Sequence, residues 1–388
     1  MVRQPSMRIA LVSPLFESVP PKLYGGTERV VSYLTEELVR QGHSVTLFAA
    51  GDSVTSARLR ACARQGIRLD GECRDPIAAQ VLMLDEVLES ASQFDVIHFH
   101  THHWHLPFAR RGRLPAITTM HGRLDLPELV PLYRRFSDAP LVSLSDAQRA
   151  PLAFANWIGT VHPGLPRDLL APSTRPGRYL AFVGRMAPEK GPHTAIRIAR
   201  RAGMPLKLAA KVDPADEAFF RREVRPLLGQ GIEYVGEIPD TEKAAFLGAA
   251  SALLFPAERP EPFGLAMIEA MACGTPVIAL RRGSVPELIQ HAVNGCIVED
   301  EDEAVAAARR SAEFDRAACR RSFEERFTAE RMAQEYVQLY QGVQQVHELG
   351  RRLAASKAAR RATRSANPPA LLPGRPDDLH FGAEQRSG

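Results

Sequence analysis

The sequence is short of the features that mark secreted, membrane-spanning and cysteine-ligated metal proteins. Its five cysteines are odd in number and scattered, and no two form a CxxC pair, so neither a disulfide framework nor a zinc site built on cysteine is expected. No charged-then-apolar signal peptide precedes Met7, and no run of about 18 apolar residues could span a bilayer. These absences predict a cytoplasmic protein with reduced thiols. Peripheral contact with the inner face of the membrane stays open.

The charge distribution gives little support for a nucleic-acid partner. The formal net charge is +4, but residues 349–388 hold eight Lys or Arg residues against three acidic ones, so the rest of the chain is close to neutral. Nucleic-acid binding would favour basic residues on a folded face with interleaved aromatics, and we find no such pattern. We therefore expect no nucleic-acid partner. The basic tail can contact an anionic membrane or stay solvated.

Length and periodicity predict two domains. The 388 residues, 45% of them hydrophobic, exceed one ordinary core. An apolar strand from Met7, a loop closed by Gly25 and Gly26, a helix ending at Gly42 and a second strand make a βαβ unit. Its glycine loop lies at the carboxyl end of a strand, where open α/β sheets bind ligands. The alternation restarts with RYLAFVGR at Arg178, which predicts two Rossmann-like, doubly wound parallel sheets facing a cleft.

The domain boundaries follow from composition. We place a first domain at residues 1–170 and a second at 171–328, joined through a segment dense in Pro and Arg. Helical spacing resumes at Ala329 and predicts a C-terminal helix over 329–348. Residues 349–388 are rich in Ala, Arg, Pro and Ser without a core pattern, and we expect them to be disordered.

Two carboxylates bracket the stretch EPFGLAMIE. An apolar strand ends at Phe255, and Gly264 opens a helical pattern, so Glu261 stays in the loop while Glu269 lies in the second helical turn. The N–H groups of Phe263, Gly264 and Leu265 lie between the two carboxylates. A helix N-terminus offers such donors, and positive potential, to an anion such as phosphate. The arrangement suits a phosphorylated ligand with many hydroxyl groups.

These motifs resemble those of the retaining, nucleotide-sugar-dependent glycosyltransferases of family 4, which have the GT-B fold. EPFGLAMIE matches the E-x7-E motif of the family and is followed by GTPVIA. GRMAPEKG, from Gly184 to Gly191, resembles its Arg-and-Lys phosphate segment, and YGGTERVV resembles its glycine loop. The resemblance covers roughly Met7 to Tyr340. Within the family, the PPKLYGGTERVVSYLTEEL and HGRLDLPE stretches look most like the branch that includes antibiotic-oligosaccharide transferases.

The resemblance implies roles for particular residues. Glu269 would hold the ribose hydroxyls of the nucleotide, and Glu261 would bind the donor sugar near its reacting carbon. Arg185 and Lys190 would neutralise the diphosphate leaving group, and His121 would contact the donor sugar. The donor site would be completed by the backbone at Gly26, Phe263, Gly264 and Leu265. The helix over 329–348 would pack back on the first domain.

Metal sites are the main competing interpretation of two polar runs. The histidines of HFHTHHWH, which begin at His98, could ligate zinc, and VEDEDE, from Val298 to Glu303, contains an Asp-x-Asp pattern. We expect polar packing for the histidines, and a favourable interaction with the next helix N-terminus for the acids. No metal and no cofactor other than the nucleotide sugar substrate is expected.

The predicted activity is transfer of a sugar from a nucleotide diphosphate sugar to a hydroxyl acceptor, with retention of configuration. A sugar-nucleotide epimerase of the same fold and a non-catalytic sugar-nucleotide-binding protein are the alternatives. A glycoside hydrolase is less natural, because its two carboxyl groups must flank the scissile bond from opposed positions. The nucleotide base, the donor sugar, the acceptor and the oligomeric state do not follow from the sequence.

Overall fold

The first half of the computed structural model is a parallel sheet of seven strands. The structure describes residues 6–175 and 177–366, with side chains up to residue 357. The strand order is β3-β2-β1-β4-β5-β6-β7, and every pair is parallel. The bounds are β1 Arg8–Val12, β2 Ser44–Ala50, β3 Arg58–Ala63, β4 Val96–Phe99, β5 Ala116–Thr119, β6 Leu141–Ser143 and β7 Trp157–Thr160.

Four α-helices accompany this sheet, namely α1 Gly26–Arg40, α2 Pro76–Glu89, α3 Leu106–Gly112 and α4 Leu129–Arg135. α1 buries Val30, Val31, Leu34 and Leu38, which recur at helical spacing and so form one apolar face against the core. Because α1 begins at Gly26, the glycine loop lies between β1 and α1, as the sequence predicts.

The second half is a parallel sheet of six strands in the order β10-β9-β8-β11-β12-β13. Its strands are β8 Tyr179–Arg185, β9 Leu206–Lys211, β10 Ile232–Gly236, β11 Ala250–Phe255, β12 Val277–Leu280 and β13 Gly295–Val298. Its helices are α5 Pro192–Ala202, α6 Glu217–Phe219, α7 Asp240–Gly248, α8 Leu265–Ala272, α9 Val285–Leu288, α10 Glu301–Arg309 and α11 Arg316–Arg326. Strands and helices alternate through both halves, so the predicted fold class of two Rossmann-like parallel sheets is confirmed.

The edge strands β3 and β7 of the first sheet were not predicted from the sequence. The β3 sequence RLRACA mixes basic and apolar residues, and none of its side chains is fully buried. It pairs with β2 at the edge of the sheet, where a strand needs no continuous apolar run. The acidic run near Val298 behaves as expected, since Asp300 caps α10 by accepting a hydrogen bond from the N–H of Glu303 at 2.9 Å.

The last helix, α12, spans Ala329–Ala366, and its first turns contact the first sheet. The Tyr336 hydroxyl lies 2.9 Å from Thr119 Oγ1, and the Tyr340 hydroxyl lies 2.8 Å from His98 Nδ1. Residues 349–366, for which disorder is expected from the sequence, continue the helix. Ala and Arg favour a helix even without an apolar pattern. Residues 367–388 of that prediction lie outside the described residues.

The chain passes between the two halves at two adjacent places. The N–H of Leu165 donates to the carbonyl of Phe327 at 2.9 Å, and the N–H of Ala329 donates to the carbonyl of Leu165 at 2.8 Å. Gly164 packs so closely here that a Cβ on it would stand 2.2 Å from the Thr328 carbonyl oxygen. The two passages are therefore hydrogen-bonded to each other. Among the helices of the described ranges, none has the length and apolarity needed to cross a bilayer.

Candidate active site

The turn from β11 into α8 depends on one glycine. Gly264 precedes the helix with φ +90°, a left-handed conformation that glycine adopts without strain. A Cβ at this position would stand 2.7 Å from Met267 Cε and 2.9 Å from Phe255 Cζ. Only glycine therefore fits this turn. It leaves the first N–H groups of α8 without intrahelical acceptors, as at any helix N-terminus.

The start of α8 faces a cavity of about 410 Å³ that residues from both halves line. Eight of the nine site residues expected from the sequence line it: Gly26, His121, Lys190, Glu261, Phe263, Gly264, Leu265 and Glu269. The two halves meet closely here, because a Cβ added at Gly26 would lie 3.9 Å from Leu265 Cδ1. The fold thus brings residues that are distant in sequence to one chamber.

Lys190 and Glu261 form an ion pair inside this cavity. Lys190 Nζ donates to Glu261 Oε2 at 2.6 Å, and each side chain is 20% exposed. Lys190 ends the short 3₁₀ turn Pro188–Lys190, and the following Gly191 has φ +69°. A Cβ on Gly191 would stand 2.2 Å from the Pro256 carbonyl oxygen. The glycine allows this turn to approach the β11–α8 loop, and so brings the two charges together.

Glu269 is paired with a lysine that the sequence analysis did not single out. Lys243 Nζ donates to Glu269 Oε1 at 2.7 Å, and the two side chains are 12% and 4% exposed. Lys243 also lies 3.1 Å from Asp240 Oδ1, and Asp240 is in turn ion-paired with Arg29 of α1. A chain of charges therefore runs from Glu269 to the first half. Nothing in the α7 sequence marks Lys243, because a lysine near a helix start is more often solvated.

Arg185, which is expected to neutralise the diphosphate, is held by acidic side chains in this structure, and its role stays a prediction. Arg185 is absent from the cavity lining, and its guanidinium is engaged by three carboxylates, those of Glu189, Asp213 and Asp216. Lys211 lines the cavity instead, and its Nζ lies 2.8 Å from Asp213 Oδ1. Strand position alone cannot tell which way a terminal Arg side chain turns, and nearby acids decide it here.

His121 reaches the cavity with a second histidine behind it. His121 Nε2 lies 2.8 Å from His100 Nδ1, and the His100 ring packs against the His98 ring with 4.0 Å between centroids and an angle of 38° between the ring planes. His98 in turn pairs with Tyr340 and Thr119. Burial lowers the pKa of all three imidazoles well below the ordinary histidine value. Neutral rings that share hydrogen bonds are consistent with this burial.

His105 shows the same kind of packing away from the cavity. Its Nε2 lies 2.7 Å from Thr118 Oγ1 and its ring stacks on Phe99. Burial lowers the pKa of His105 to about 3. Three histidines of the run therefore have polar partners: His98 and His105 bond to hydroxyl groups, and His100 bonds to His121. Within the described part of the chain, no three His, Cys, Asp or Glu side chains are grouped to hold a metal ion.

Comparison with known proteins gives the same two-part division. Residues 24–159 match the family model described as Glycosyltransferase Family 4, and residues 172–327 match the model described as Glycosyl transferases group 1. The glycogen synthase of Mycobacterium tuberculosis is 27% identical over 370 residues, which cover 81% of this chain and 88% of the relative. The protein is a glycosyltransferase of the GT-B fold.

Solved structures show the likeness in three dimensions. AviGT4, a glycosyltransferase involved in avilamycin A biosynthesis, superposes with a TM-score of 0.68 at 24% identity, covering 87% of this glycosyltransferase and 98% of that chain. Alr3699/HepE of Anabaena, in complex with UDP and glucose, superposes with a TM-score of 0.67 at 16% identity and covers 87% and 100% of the two chains. At these identities the likeness concerns the fold.

Direct bonds beside the cavity join the two halves of the glycosyltransferase. Glu287 accepts hydrogen bonds from the N–H groups of Asp146 and Ala147, each at 2.8 Å, and His162 Nε2 lies 3.3 Å from it. Burial acts to raise the pKa of Glu287, but these hydrogen bonds outweigh burial and lower it. The Ser145 hydroxyl donates to the Pro262 carbonyl at 2.7 Å. The loop that carries Glu261 is thereby held by the first half.

Proposed function

We propose that this glycosyltransferase moves a sugar from a nucleoside diphosphate sugar to a hydroxyl acceptor, with retention of anomeric configuration. The observation that carries the proposal is the grouping of Lys190, Glu261, Glu269 and the start of α8 around one cavity. A cation and free backbone N–H groups suit a diphosphate, and carboxylates suit sugar and ribose hydroxyls. The solved complex of Alr3699/HepE with UDP-glucose supports this class of donor.

The proposed roles are those that the family resemblance implies for these side chains. Lys190 and the α8 N-terminus would stabilise the negative charge that grows on the diphosphate as its bond to the anomeric carbon breaks. Glu261 would bind donor-sugar hydroxyls and Glu269 the ribose, with His121 and the backbone near Gly26 closing the site from the first half. The acceptor oxygen would bond to the anomeric carbon on the same face, and its proton would pass to the leaving phosphate.

The reaction is proposed to need no divalent metal, since Lys190 and the helix N–H groups supply positive potential beside the diphosphate. Turnover measured with and without EDTA tests this directly, and a loss of activity that Mg²⁺ or Mn²⁺ restores would contradict it.

Two substitutions test the site. Lys190→Met and Glu261→Gln should each lower kcat by roughly 100-fold or more, which is the usual cost of losing one charge-stabilising group, while the melting temperature reports that the fold is kept. A thermal-shift panel of uridine, guanosine, adenosine and thymidine diphosphate sugars would identify the donor through its stabilisation of the folded state. Unchanged turnover in both variants would refute the site.

The alternatives have distinct readouts. A labelled donor that is converted to its epimer without transfer would indicate an epimerase, and donor binding without turnover would indicate a binding protein. The anomeric coupling constant of the product, measured by NMR, tests retention. Membership of the branch that includes antibiotic-oligosaccharide transferases remains a prediction from the two resembling stretches of sequence.

A further inference from the structure

On the first-half side of the cavity, one carboxyl group has no ion-pair partner among the residues that the structure describes. Glu28 lies in the first turn of α1, lines the cavity and is 6% exposed. Within the described residues its carboxyl group has a single hydrogen-bond partner, its own backbone N–H. A buried carboxyl group that is not paired costs folding free energy. Such groups are concentrated at sites that bind ligands.

The two cations near Glu28 are already engaged by other acids. Arg68 Nη1 lies 2.8 Å from Glu17 Oε1, and Arg29 is ion-paired with Asp240. Burial raises the pKa of Glu28 to about 7, with Glu17 acting in the same direction and with Arg68 and Arg29 only partly opposing it. The hydrogen-bonding capacity of this carboxyl group is therefore left for a molecule in the cavity.

An aromatic ring lies on the same side of the cavity. Trp104 is half-buried and lines the cavity together with Phe16, and the two rings meet edge to face with 6.3 Å between centroids. An indole ring offers a flat apolar surface of fixed orientation. A pyranose ring has an apolar face of C–H groups and a rim of hydroxyls, so an aromatic ring and a carboxylate that line the same cavity match both.

This side of the cavity adjoins the proposed donor site. Gly26, two residues before Glu28, is the point where α1 approaches Leu265 at the start of α8. A molecule held by Glu28 would lie in the chamber that Lys190 and Glu261 also line. An acceptor must occupy such a place, because its hydroxyl oxygen has to reach the anomeric carbon of the donor.

We propose that Glu28 and Trp104 form an acceptor subsite for a pyranose sugar, in which the Glu28 carboxylate accepts hydrogen bonds from ring hydroxyls and Trp104 packs against the apolar face of the ring. The inference rests on the proposed transferase function and deepens it by naming the acceptor class as a carbohydrate. Glu28 and Trp104 are the residues that choose a sugar over an acyclic alcohol or a lipid.

Tryptophan fluorescence provides the test, because the chain has two tryptophans. A Trp157→Phe background leaves Trp104 as the only emitter, and Trp157 does not line the cavity. The protein, saturated with UDP, is titrated with maltose and with the methyl glycosides of glucose, galactose and mannose. Glycerol serves as the control, since it has hydroxyls but no ring face. We expect at least one pyranoside to shift Trp104 emission saturably, and glycerol to leave it unchanged.

Variants separate the two contacts. Glu28→Gln should weaken pyranoside binding by roughly tenfold to a hundredfold, the range for a hydrogen bond to a charged group, while the thermal shift caused by UDP-glucose is kept. Trp104→Leu, followed by calorimetry, should weaken it similarly. Pyranosides that fail to bind, or that bind Glu28→Gln and Trp104→Leu like the unsubstituted protein, would overturn the subsite. If no nucleotide sugar of the donor panel produces a thermal shift, the proposed function fails instead.

Discussion

Lys243→Met tests whether Glu269 depends on its buried cation. The substitution removes the ammonium group that lies 2.7 Å from Glu269 Oε1 and keeps a side chain of similar length. Since the two side chains are only 12% and 4% exposed, the carboxylate would be left buried and uncompensated. Asp240 would keep Arg29 as its partner, so the loss falls mainly on Glu269.

The magnitude follows from the burial of the pair. Removing one partner of a buried ion pair costs about 3–5 kcal/mol, which for a protein of this size lowers the melting temperature by roughly 4–6 °C. The matched control is Lys207→Met, which breaks the Lys207–Glu233 pair at 2.8 Å, where the side chains are 35% and 57% exposed. An exposed pair of this kind contributes about 0–1 kcal/mol.

Differential scanning fluorimetry with and without UDP-glucose is the assay. The double variant Lys243→Met with Glu269→Gln should regain most of the lost stability, because no uncompensated charge remains. If Glu269 holds the ribose, the double variant should not regain the thermal shift that UDP-glucose causes. Equal melting temperatures for Lys243→Met and Lys207→Met would refute the reasoning about burial. A normal thermal shift in the double variant would refute the role of Glu269.

Three further predictions concern the other side chains of the site. Arg185→Ala should lower kcat less than Lys190→Met does, because three carboxylates hold Arg185 outside the cavity lining; steady-state kinetics that rank the two the other way would contradict the geometry. His100→Leu should lower kcat more than His100→Asn, because the Asn amide can replace Nδ1 beside His121. The control His105→Leu should lower the melting temperature and keep the donor KM. Equal kcat values for the two His100 variants would exclude a positioning role for His100. Burial lowers the pKa of His98, His100 and His121, so their stabilising contribution is present above the unfolded value of about 6.5 and is lost as pH falls below it. Burial raises the pKa of Glu28 to about 7, so protonation of Glu28 stabilises the folded state as pH falls from 7 to 5. Over this range the melting temperature of Glu28→Gln should therefore fall more steeply than that of the unsubstituted protein. Parallel curves of melting temperature against pH would contradict this.

The alternation of apolar strands and helices was sufficient to predict both sheets, because buried parallel strands need continuous apolar runs such as those of β1 and β11. Edge positions relax this requirement, which is why β3 was missed. Local rules also sufficed for the β11–α8 turn, where the sequence around Pro262 and Gly264 determines that Glu261 stays outside the helix.

Pairing between side chains could not be predicted in the same way. Lys190 and Glu261 are 71 residues apart, and Lys243 and Glu269 are 26 apart, so only tertiary packing decides that they meet. The same holds for Arg185, whose direction depends on acids in other loops. The carboxyl group of Glu28 carries no sequence signal at all, because its importance lies in the partners that it lacks within the described residues.

The two adjacent passages of the chain at Leu165 and Thr328 have a mechanical consequence. A single connection would let the halves swing and twist freely, but two connections that are hydrogen-bonded side by side act as one hinge with a fixed axis. A rotation of the two halves about that axis would break the hydrogen bonds that the N–H groups of Asp146 and Ala147 donate to Glu287, whereas the Leu165 bonds could stay intact throughout.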